Sequence, residues 1–231
     1  MAKNKDTLKP NKEKTVDKAA SFISKNRIIL IVLVSVVFAG VIAFAVYKSV
    51  EASNTSKALS VIDSAEYALK NNTAALSDAE LQPYYDNALE AVKPYVTKGG
   101  IVGARAEMLT GEVQLRKNNN EAARDAYLSA AKKAGKSYLS GICYFNAAVA
   151  CEEMNDNEKA IEYYTIAAND KEFADPTHAW FSVGRLKEVT LDYLGAKDAY
   201  LEVVSRNNPQ DPWFNYSKDR LLQMQIDGKT E

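Results

Sequence analysis

The longest uninterrupted apolar stretch of the chain lies near its N-terminus. Residues 28–47 read IILIVLVSVVFAGVIAFAVY and contain no charged side chain. A helix of about 20 such residues spans a bilayer core of roughly 30 Å, where it satisfies its own backbone hydrogen bonds. Lys25, Arg27 and Lys48 flank the stretch, and Tyr47 stands where an interfacial aromatic residue is expected. The pattern predicts a transmembrane helix over residues 28–47.

The basic residues around this segment predict its direction. Eight Lys and Arg side chains precede residue 28, whereas only Lys48 and Lys57 follow shortly after residue 47. The positive-inside rule therefore places residues 1–27 in the cytoplasm and residues 48–231 beyond the membrane. The expected setting is a bacterial inner membrane with a periplasmic C-terminal domain.

A cleaved signal peptide is the alternative interpretation of the same segment. Ala43-Phe44-Ala45 matches the small-x-small cleavage pattern, but it lies inside the apolar run. The 27 residues before the run and the run itself are also longer than the corresponding regions of a signal peptide. We therefore favour a retained membrane anchor.

A row of small residues marks one face of the predicted span. Ser35, Ala39 and Ala43 are four positions apart, a spacing that lets a second membrane helix approach closely. Small residues are common in membrane spans, so incidental spacing is the alternative. The row is a candidate helix contact.

Beyond the span, compact side chains recur at fixed intervals. A small residue is followed twelve positions later by another, four positions further by a tyrosine, and three beyond that by a compact residue. The three occurrences are Gly111-Ala123-Tyr127-Ala130, Ala148-Ala160-Tyr164-Ala167 and Gly184-Ala196-Tyr200-Val203. Small residues let the two helices of a hairpin approach closely, and the tyrosine fills the groove against the neighbouring unit. The pattern predicts three stacked helical hairpins, in which Glu107 replaces the aromatic residue found at Tyr144 and Trp180.

Turn and cap signals fall between the predicted helices at the same phase. Asn and Asp suit tight turns and helix N-caps, and proline suits the first helical position. The turns between paired helices are predicted at 118–120, 155–157 and 191–193, helix starts at Asp175-Pro176 and Asp211-Pro212, and a helix end at Gly135. No segment alternates with a period of two, so an all-α chain is expected.

These signals divide the chain into five segments. They are a basic, disordered segment (1–27), the transmembrane helix (28–47), linker helices or a degenerate first repeat (48–98), three repeats (99–208), and a capping helix with a tail (209–231). The linker helices are predicted at 50–71 and 78–96, the second opening with a Ser77/Glu80 capping box. Leu69, Leu81, Tyr85 and Ala88 keep the repeat spacing with larger side chains. Trp213, Phe214, Leu221 and Met224 are expected to cover the end of the stack.

Charge and composition exclude several functions. Residues 1–48 carry nine basic and three acidic side chains, which leaves 20 basic and 27 acidic in the rest. An acidic main body argues against nucleic-acid binding. Cys143 and Cys151 are eight residues apart on one predicted helix, about 12 Å along its axis, which is too far for a disulfide. Burial as small side chains is expected of both.

The sequence contains no catalytic or cofactor-binding motif. It lacks a GxSxG elbow, a phosphate loop, HExxH and CxxC. Gly99-Gly100 reads as a loop and helix start, because no strand precedes it. His178 is the only histidine, and we interpret it as a packing or surface residue. We therefore expect no enzymatic activity, no cofactor and no metal.

The repeated residues resemble the tetratricopeptide repeat. The similarity is clearest in Tyr144-Ala148-Ala160-Tyr164-Ala167 and in Trp180-Gly184-Asp192-Tyr193-Ala196-Tyr200, and it covers residues 104 to about 208. The units are two or three residues longer than usual for that family, and the closing proline, Pro209, comes one place late. The resemblance implies a helical-hairpin solenoid whose first helices line a concave, protein-binding face.

The repeat phase predicts which side chains point into that concave face. They are Arg105, Met108, Glu112, Phe145, Val149, Glu152, Phe181, Arg185 and Glu188. The mixture indicates a partly apolar groove for an extended peptide or a partner helix. Packing under an adjacent helix is the alternative for these positions.

The order of segments is also similar to that of the ancillary subunit of the bacterial Sec translocon. That family has a short cytoplasmic segment, one membrane helix and a small periplasmic tetratricopeptide domain, and the run Val16–Ile23 resembles its lead-in. The resemblance implies the translocon, a periplasmic chaperone or secreted clients as partners. The leading hypothesis is a membrane-tethered interaction scaffold, and the alternative is a self-associating organiser of envelope assembly or cell division.

Overall fold

The computed structural model describes residues 10–71 and 76–229. Within these ranges the chain is all helical, as predicted. The helices are α1 (Pro10–Asn71), α2 (Asp78–Val92), α3 (Gly100–Arg116), α4 (Asn120–Ala134), α5 (Leu139–Glu153), α6 (Asn157–Asn169), α7 (Pro176–Val189), α8 (Tyr193–Val204) and α9 (Pro212–Ile226). The chain divides into two structural units, Met1–Thr55 and Ser56–Glu231.

The described part of the first unit is the N-terminal portion of α1. Its most apolar window has a mean hydropathy of 3.1, and none of that window is buried by the rest of the chain. Side chains such as Ile28, Phe38 and Phe44 are 63–70% exposed. Of the helices in the described ranges, only α1 is long and apolar enough to cross a membrane. It is therefore a candidate span by length and composition.

The bounds of α1 differ from the sequence prediction at both ends. Residues 10–27 are helical where disorder was predicted, while residues 1–9 lie outside the described residues. The predicted separate helix at 50–71 is the last part of α1. No glycine or proline occurs between residues 41 and 71, so nothing in that stretch breaks the helix.

The second unit begins with residues 56–71 of α1, which pack with α2 and α3. Ile62, Leu69, Tyr85, Ala88 and Val92 share one buried cluster with side chains of α3. The backbones of α1 and α2 stay farther apart than those of the later hairpins, since larger residues replace Gly and Ala at the contact positions. The predicted capping box is present at the start of α2, which ends at Val92 rather than residue 96.

The three predicted hairpins are present as α3–α4, α5–α6 and α7–α8. A Cβ atom added at Gly184 would lie 2.5 Å from Cε1 of Tyr200, and one at Gly111 would lie 2.9 Å from Cδ1 of Tyr127. The glycines thus allow each tyrosine ring to lie against the first helix of its own hairpin. The same tyrosines also contact the following helix, since Tyr127 clusters with Ala147 of α5. This double contact explains the recurring interval.

The turns and caps of the hairpins follow the predicted signals. The left-handed residue of each turn is Asn118, Asn155 or Leu191, with φ between 57° and 64°. The carboxylates of Asp156 and Asp192 then accept hydrogen bonds from backbone N–H groups in the first helical turn. Asp175 and Asp211 do the same for α7 and α9, whose first residues are prolines. Gly135 ends α4 with φ 62°.

One departure from the repeat pattern has a structural explanation. Glu107, at the position of an aromatic residue in the other units, forms an ion pair with Lys133 and accepts a hydrogen bond from Ser129 Oγ at 2.8 Å. Lys133 Nζ also donates to the Val96 carbonyl at 2.6 Å. A polar network therefore replaces the ring in the first unit. Cys143 and Cys151 are free and buried, as expected, and burial raises the pKa of Cys143 to about 12.

Candidate partner-binding groove

One groove of the second unit brings together side chains from α5, α6, α7 and α9. We call it the aromatic groove. It has a volume of about 290 Å³ and is lined by Phe145, Val149, Glu152, Glu153, Tyr164, His178, Phe181, Ser182, Arg185 and Trp213. Five of the nine sequence-predicted residues are among them: Phe145, Val149, Glu152, Phe181 and Arg185.

Helical periodicity places these residues on one face of each contributing helix. On α5, Phe145, Val149 and Glu152 are spaced i, i+4 and i+7. On α7, His178 and Phe181 precede Arg185 by seven and four positions. Residues with these spacings lie above one another on a helix surface. The two faces meet because both helices are the first helices of adjacent hairpins.

A continuous series of ring contacts forms the apolar part of the groove. The His178 imidazole stacks on Trp213 with ring centroids 3.9 Å apart and an interplanar angle of 9°. Phe145 contacts His178 at 4.7 Å and Tyr164 at 4.9 Å. Phe181 lies 5.1 Å from Trp213. Each aromatic pair in an offset or edge-on contact contributes about 0.5–1.5 kcal/mol beyond its buried area, so the rings form a preorganised surface.

An ion pair forms the polar end of the groove. Arg185 Nη2 donates to both carboxylate oxygens of Glu152, at 2.7 and 2.6 Å. Burial, followed by a hydrogen bond to Glu152, raises the pKa of the Tyr164 hydroxyl. The charge of Glu152 is therefore balanced within the groove. Glu153, the other carboxylate of the lining, is exposed to solvent.

The environment of His178 favours its neutral form. Burial lowers its pKa below the ordinary value of 6.5, although Asp175, whose Oδ2 lies 3.4 Å from His178 Nδ1, acts in the opposite direction. A neutral imidazole stacks on Trp213 as an aromatic ring. This agrees with the interpretation of His178 as a packing residue, and it adds that the residue packs inside the groove.

The other four predicted residues do not line the aromatic groove. Arg105 forms ion pairs with Asp63 and Glu66 of α1. Glu112 accepts from Arg116 Nη2 at 2.8 Å, and its Oε2 lies 3.9 Å from Lys70 of α1. Both positions are thus covered by residues 56–71.

Met108 and Glu188 are the other two predicted residues that lie outside the aromatic groove. Met108 is partly buried in a cluster with Ala130, Ala131, Cys143 and Tyr144, so it packs between helices. Glu188 accepts from the Tyr200 hydroxyl at 2.6 Å and from Arg220 Nε of α9 at 3.0 Å. Adjacent helices therefore occupy both ends of the predicted concave face. Whether these four residues also contact a partner stays a prediction.

The sequence prediction also omitted residues that the structure adds to the groove. His178 shares the face of Phe181 and Arg185, and this spacing was readable from the sequence. Trp213 was expected to cover the end of the stack with Phe214, Leu221 and Met224. It stacks on His178, while Phe214 and Met224 are buried. No periodicity within a hairpin relates Trp213 to α5 and α7, so its position required the structure.

The described residues contain no group of three or more His, Cys, Asp and Glu side chains placed to hold a metal ion. The arrangement in the aromatic groove consists of aromatic surface, one internal ion pair and a neutral histidine. Aromatic residues are enriched in protein interfaces and among the residues that contribute most to their binding energy.

Comparisons with known proteins agree with the fold. No protein-family model matches the sequence. A TPR repeat-containing protein of Treponema pallidum (strain Nichols) is 30% identical over 140 residues, which are 61% of this chain. The chain spans 58% of the length of that protein. Together with the stack of helical hairpins, this similarity supports the interpretation of the chain as a tetratricopeptide repeat protein.

Proposed function

We propose that this chain is a non-enzymatic, membrane-tethered scaffold that binds a protein partner in the aromatic groove. The single observation that carries the proposal is the run of contacting, partly buried rings from Phe145 through His178 to Trp213. The similarity to a TPR repeat-containing protein supports a protein–protein interaction module. Tetratricopeptide domains generally mediate such interactions.

The groove suits an apolar side chain within an extended segment or on one face of a helix. Phe145, Phe181 and Trp213 are only partly buried, so their exposed faces are available to a partner. Covering a large apolar side chain contributes about 1.5–3 kcal/mol. Micromolar binding requires about 8 kcal/mol after the entropic cost of association is subtracted, so a partner must also make contacts beyond two or three such side chains. The Arg185–Glu152 ion pair leaves little unbalanced charge at the polar end of the groove.

Membrane tethering through α1 is the second part of the proposal. The length and mean hydropathy of α1 support it, as do the flanking basic residues. The excess of Lys and Arg before residue 28 supports a cytoplasmic N-terminus and a periplasmic C-terminal unit in a bacterial inner membrane. In this arrangement the aromatic groove lies in the periplasm.

A role in protein export or envelope-protein folding at the translocon is the finest form of the proposal. Its support is the order of segments, which is similar to that of the ancillary Sec translocon subunit. The candidate partners are then the translocon, a periplasmic chaperone or secreted clients. Unfolded clients expose aromatic and aliphatic side chains, and these match the chemistry of the groove.

Co-purification of the full chain in mild detergent tests the proposal. A membrane or envelope protein should co-purify with the wild type and be lost with the Phe145→Glu/Phe181→Glu variant. Ile166→Glu is the matched control, because Ile166 is 38% exposed on α6 and does not line the groove. Isolation of the wild type alone, or equal recovery of a partner with all three proteins, would refute a role for the groove.

A self-associating organiser of envelope assembly or cell division is the competing function. Its support is the row Ser35, Ala39 and Ala43, which lies in the part of α1 where residues 31–50 are all exposed. Crosslinking in the native membrane separates the two functions. Homodimers lost in Ala39→Leu/Ala43→Leu would favour self-association, whereas a band with a different protein that survives these changes favours the scaffold.

A further inference from the structure

A second cleft lies between α8 and α9. We call it the α8–α9 cleft. It has a volume of about 510 Å³ and is lined by Leu201 and Val204 of α8, Leu221, Leu222 and Gln225 of α9, and Lys197 and Lys218. None of these residues lines the aromatic groove. The proposed function therefore leaves this cleft unexplained.

The cleft exposes large aliphatic side chains. Leu201 is 44% exposed and Leu222 is 58% exposed, so both keep a large solvent-accessible surface. The repeat pattern supplies an internal comparison, because Leu201 follows Tyr200 as Leu128 follows Tyr127. Leu128 belongs to an apolar cluster that also contains Ala147 of α5 and Tyr163 of α6. At the earlier position, therefore, both helices of the next hairpin contribute side chains to the cluster that contains Leu128.

The start of α9 supports the same comparison. Asp211-Pro212 repeats the Asp175-Pro176 start of α7, and both aspartates cap the following helix. Helix α9 thus follows α8 as the first helix of a further hairpin follows the second helix of the preceding one. By this equivalence, the surface formed by α8 and α9 has the form that accepts a helix.

The charges that line the cleft indicate the charge of the segment that it would bind. The lining contains two lysines and no carboxylate, whereas the chain beyond residue 48 is acidic overall. A symmetric contact between two copies would bring the lysines of both clefts together, and like charges at an interface are unfavourable. A concave cleft between two helices also matches a cylinder better than a flat lipid surface.

We propose that the α8–α9 cleft binds an amphipathic helix of a protein partner, which presents a row of apolar residues flanked by Asp or Glu. The apolar row covers Leu201 and Leu222. Its acidic flank lies beside Lys197 and Lys218. The cleft would give the protein a second docking surface that operates independently of the aromatic groove.

The chain itself supplies a defined probe for this interaction. Residues 156–170, DNEKAIEYYTIAAND, contain helix α6 with four acidic residues and one lysine. A copy of this segment joined to the C-terminus of the full chain by a Gly-Ser linker of about twelve residues reaches a millimolar effective concentration. A second copy carrying Glu158→Lys and Glu162→Lys keeps the apolar row and reverses the charge.

Thiol labelling reports whether the cleft is occupied. The Gln225→Cys variant places a thiol in the lining, and Gln223→Cys places one two positions away on the same helix outside the lining. Cys143 and Cys151 are fully buried and contribute only a slow background. Labelling with a maleimide is measured on the full chain in phosphatidylcholine nanodiscs.

The acidic helix should slow labelling of Gln225→Cys at least fivefold and that of Gln223→Cys less than twofold. The basic copy should have little effect, and Lys197→Glu/Lys218→Glu should reverse this preference. Unchanged labelling with the acidic copy would overturn the proposal, as would equal slowing by both copies. Slowing without an appended helix also contradicts it: dependence on phosphatidylglycerol would assign the cleft to lipid, and dependence on protein concentration to a second copy.

Discussion

The substitution Gly184→Ala tests how the hairpins are held together. A methyl group at Gly184 would lie 2.5 Å from Cε1 of Tyr200 and 2.8 Å from Cδ1 and Cζ. Tyr200 is fully buried, and its hydroxyl donates to Glu188, which also binds Arg220 of α9. The ring therefore has no free space into which to move. Its displacement would disturb contacts that join α7, α8 and α9.

The expected effect is a net loss of stability. Alanine in place of glycine within a helix is favourable by about 1 kcal/mol. Overpacking costs about 1–3 kcal/mol, and weakening a hydrogen bond to a charged acceptor costs about 1.5–3 kcal/mol. Since the Tyr200 hydroxyl need only shift rather than lose its partner, we expect a net destabilisation of about 1–3 kcal/mol.

Urea unfolding of the full chain in detergent, followed by tryptophan fluorescence, measures this change. The two tryptophans, Trp180 and Trp213, lie on α7 and α9 and report on this part of the stack. Tyr200→Leu removes the ring that the methyl group would strike, so Gly184→Ala in that background should recover most of its loss. A Gly184→Ala protein that is more stable than the wild type by about 1 kcal/mol would refute the packing argument and leave helix propensity alone.

Three further predictions concern stability. Leu191 is 70% exposed at φ 64°, so Leu191→Asn should raise the free energy of unfolding by about 0.5–1 kcal/mol because left-handed backbone disfavours leucine. Asn155→Leu should lower it in the same urea assay, and a loss of stability in both variants would contradict the reasoning. Lys133→Met should lose about 1–3 kcal/mol because it removes the cation beside Glu107, whose side chain is only 16% exposed; the calorimetric melting temperature should recover when Glu107→Leu is added, and no recovery would assign the loss to packing. The lowered pKa of His178 means that the unfolded state binds the proton more readily, so stability falls as pH drops below about 6.5; His178→Gln should show a smaller fall in urea midpoint between pH 7.5 and 5.5, and equal falls would exclude this cause.

The sequence predicted the hairpins because their spacing follows from a local rule. Tyr200 needs a small residue such as Gly184 on the partner helix, and Tyr127 needs Gly111. These requirements recur within each unit at a constant sequence separation. The turns were predictable for the same reason, since Asp192 lies one hairpin length after Asp156.

The sequence failed where the packing partners are remote or where no breaker signals an end. Arg105 lies on the predicted face of α3, but its ion pairs with Asp63 and Glu66 bridge about 40 positions of the chain, and no periodicity predicts them. Trp213 reaches the aromatic groove from outside the three hairpins. The bounds of α1 were missed because residues on both sides of the apolar stretch are compatible with helix.

The most direct test of the central claim is photocrosslinking at Phe145 in living cells. A photoreactive amino acid at Phe145 should yield a crosslinked band that contains a second protein, identified by mass spectrometry. The same group at Leu194, which is 63% exposed on α8 outside the groove, should not yield that band. The account predicts a band that depends on Phe145 and disappears with Phe181→Glu. An identical set of bands from both positions, or none from Phe145, would contradict it.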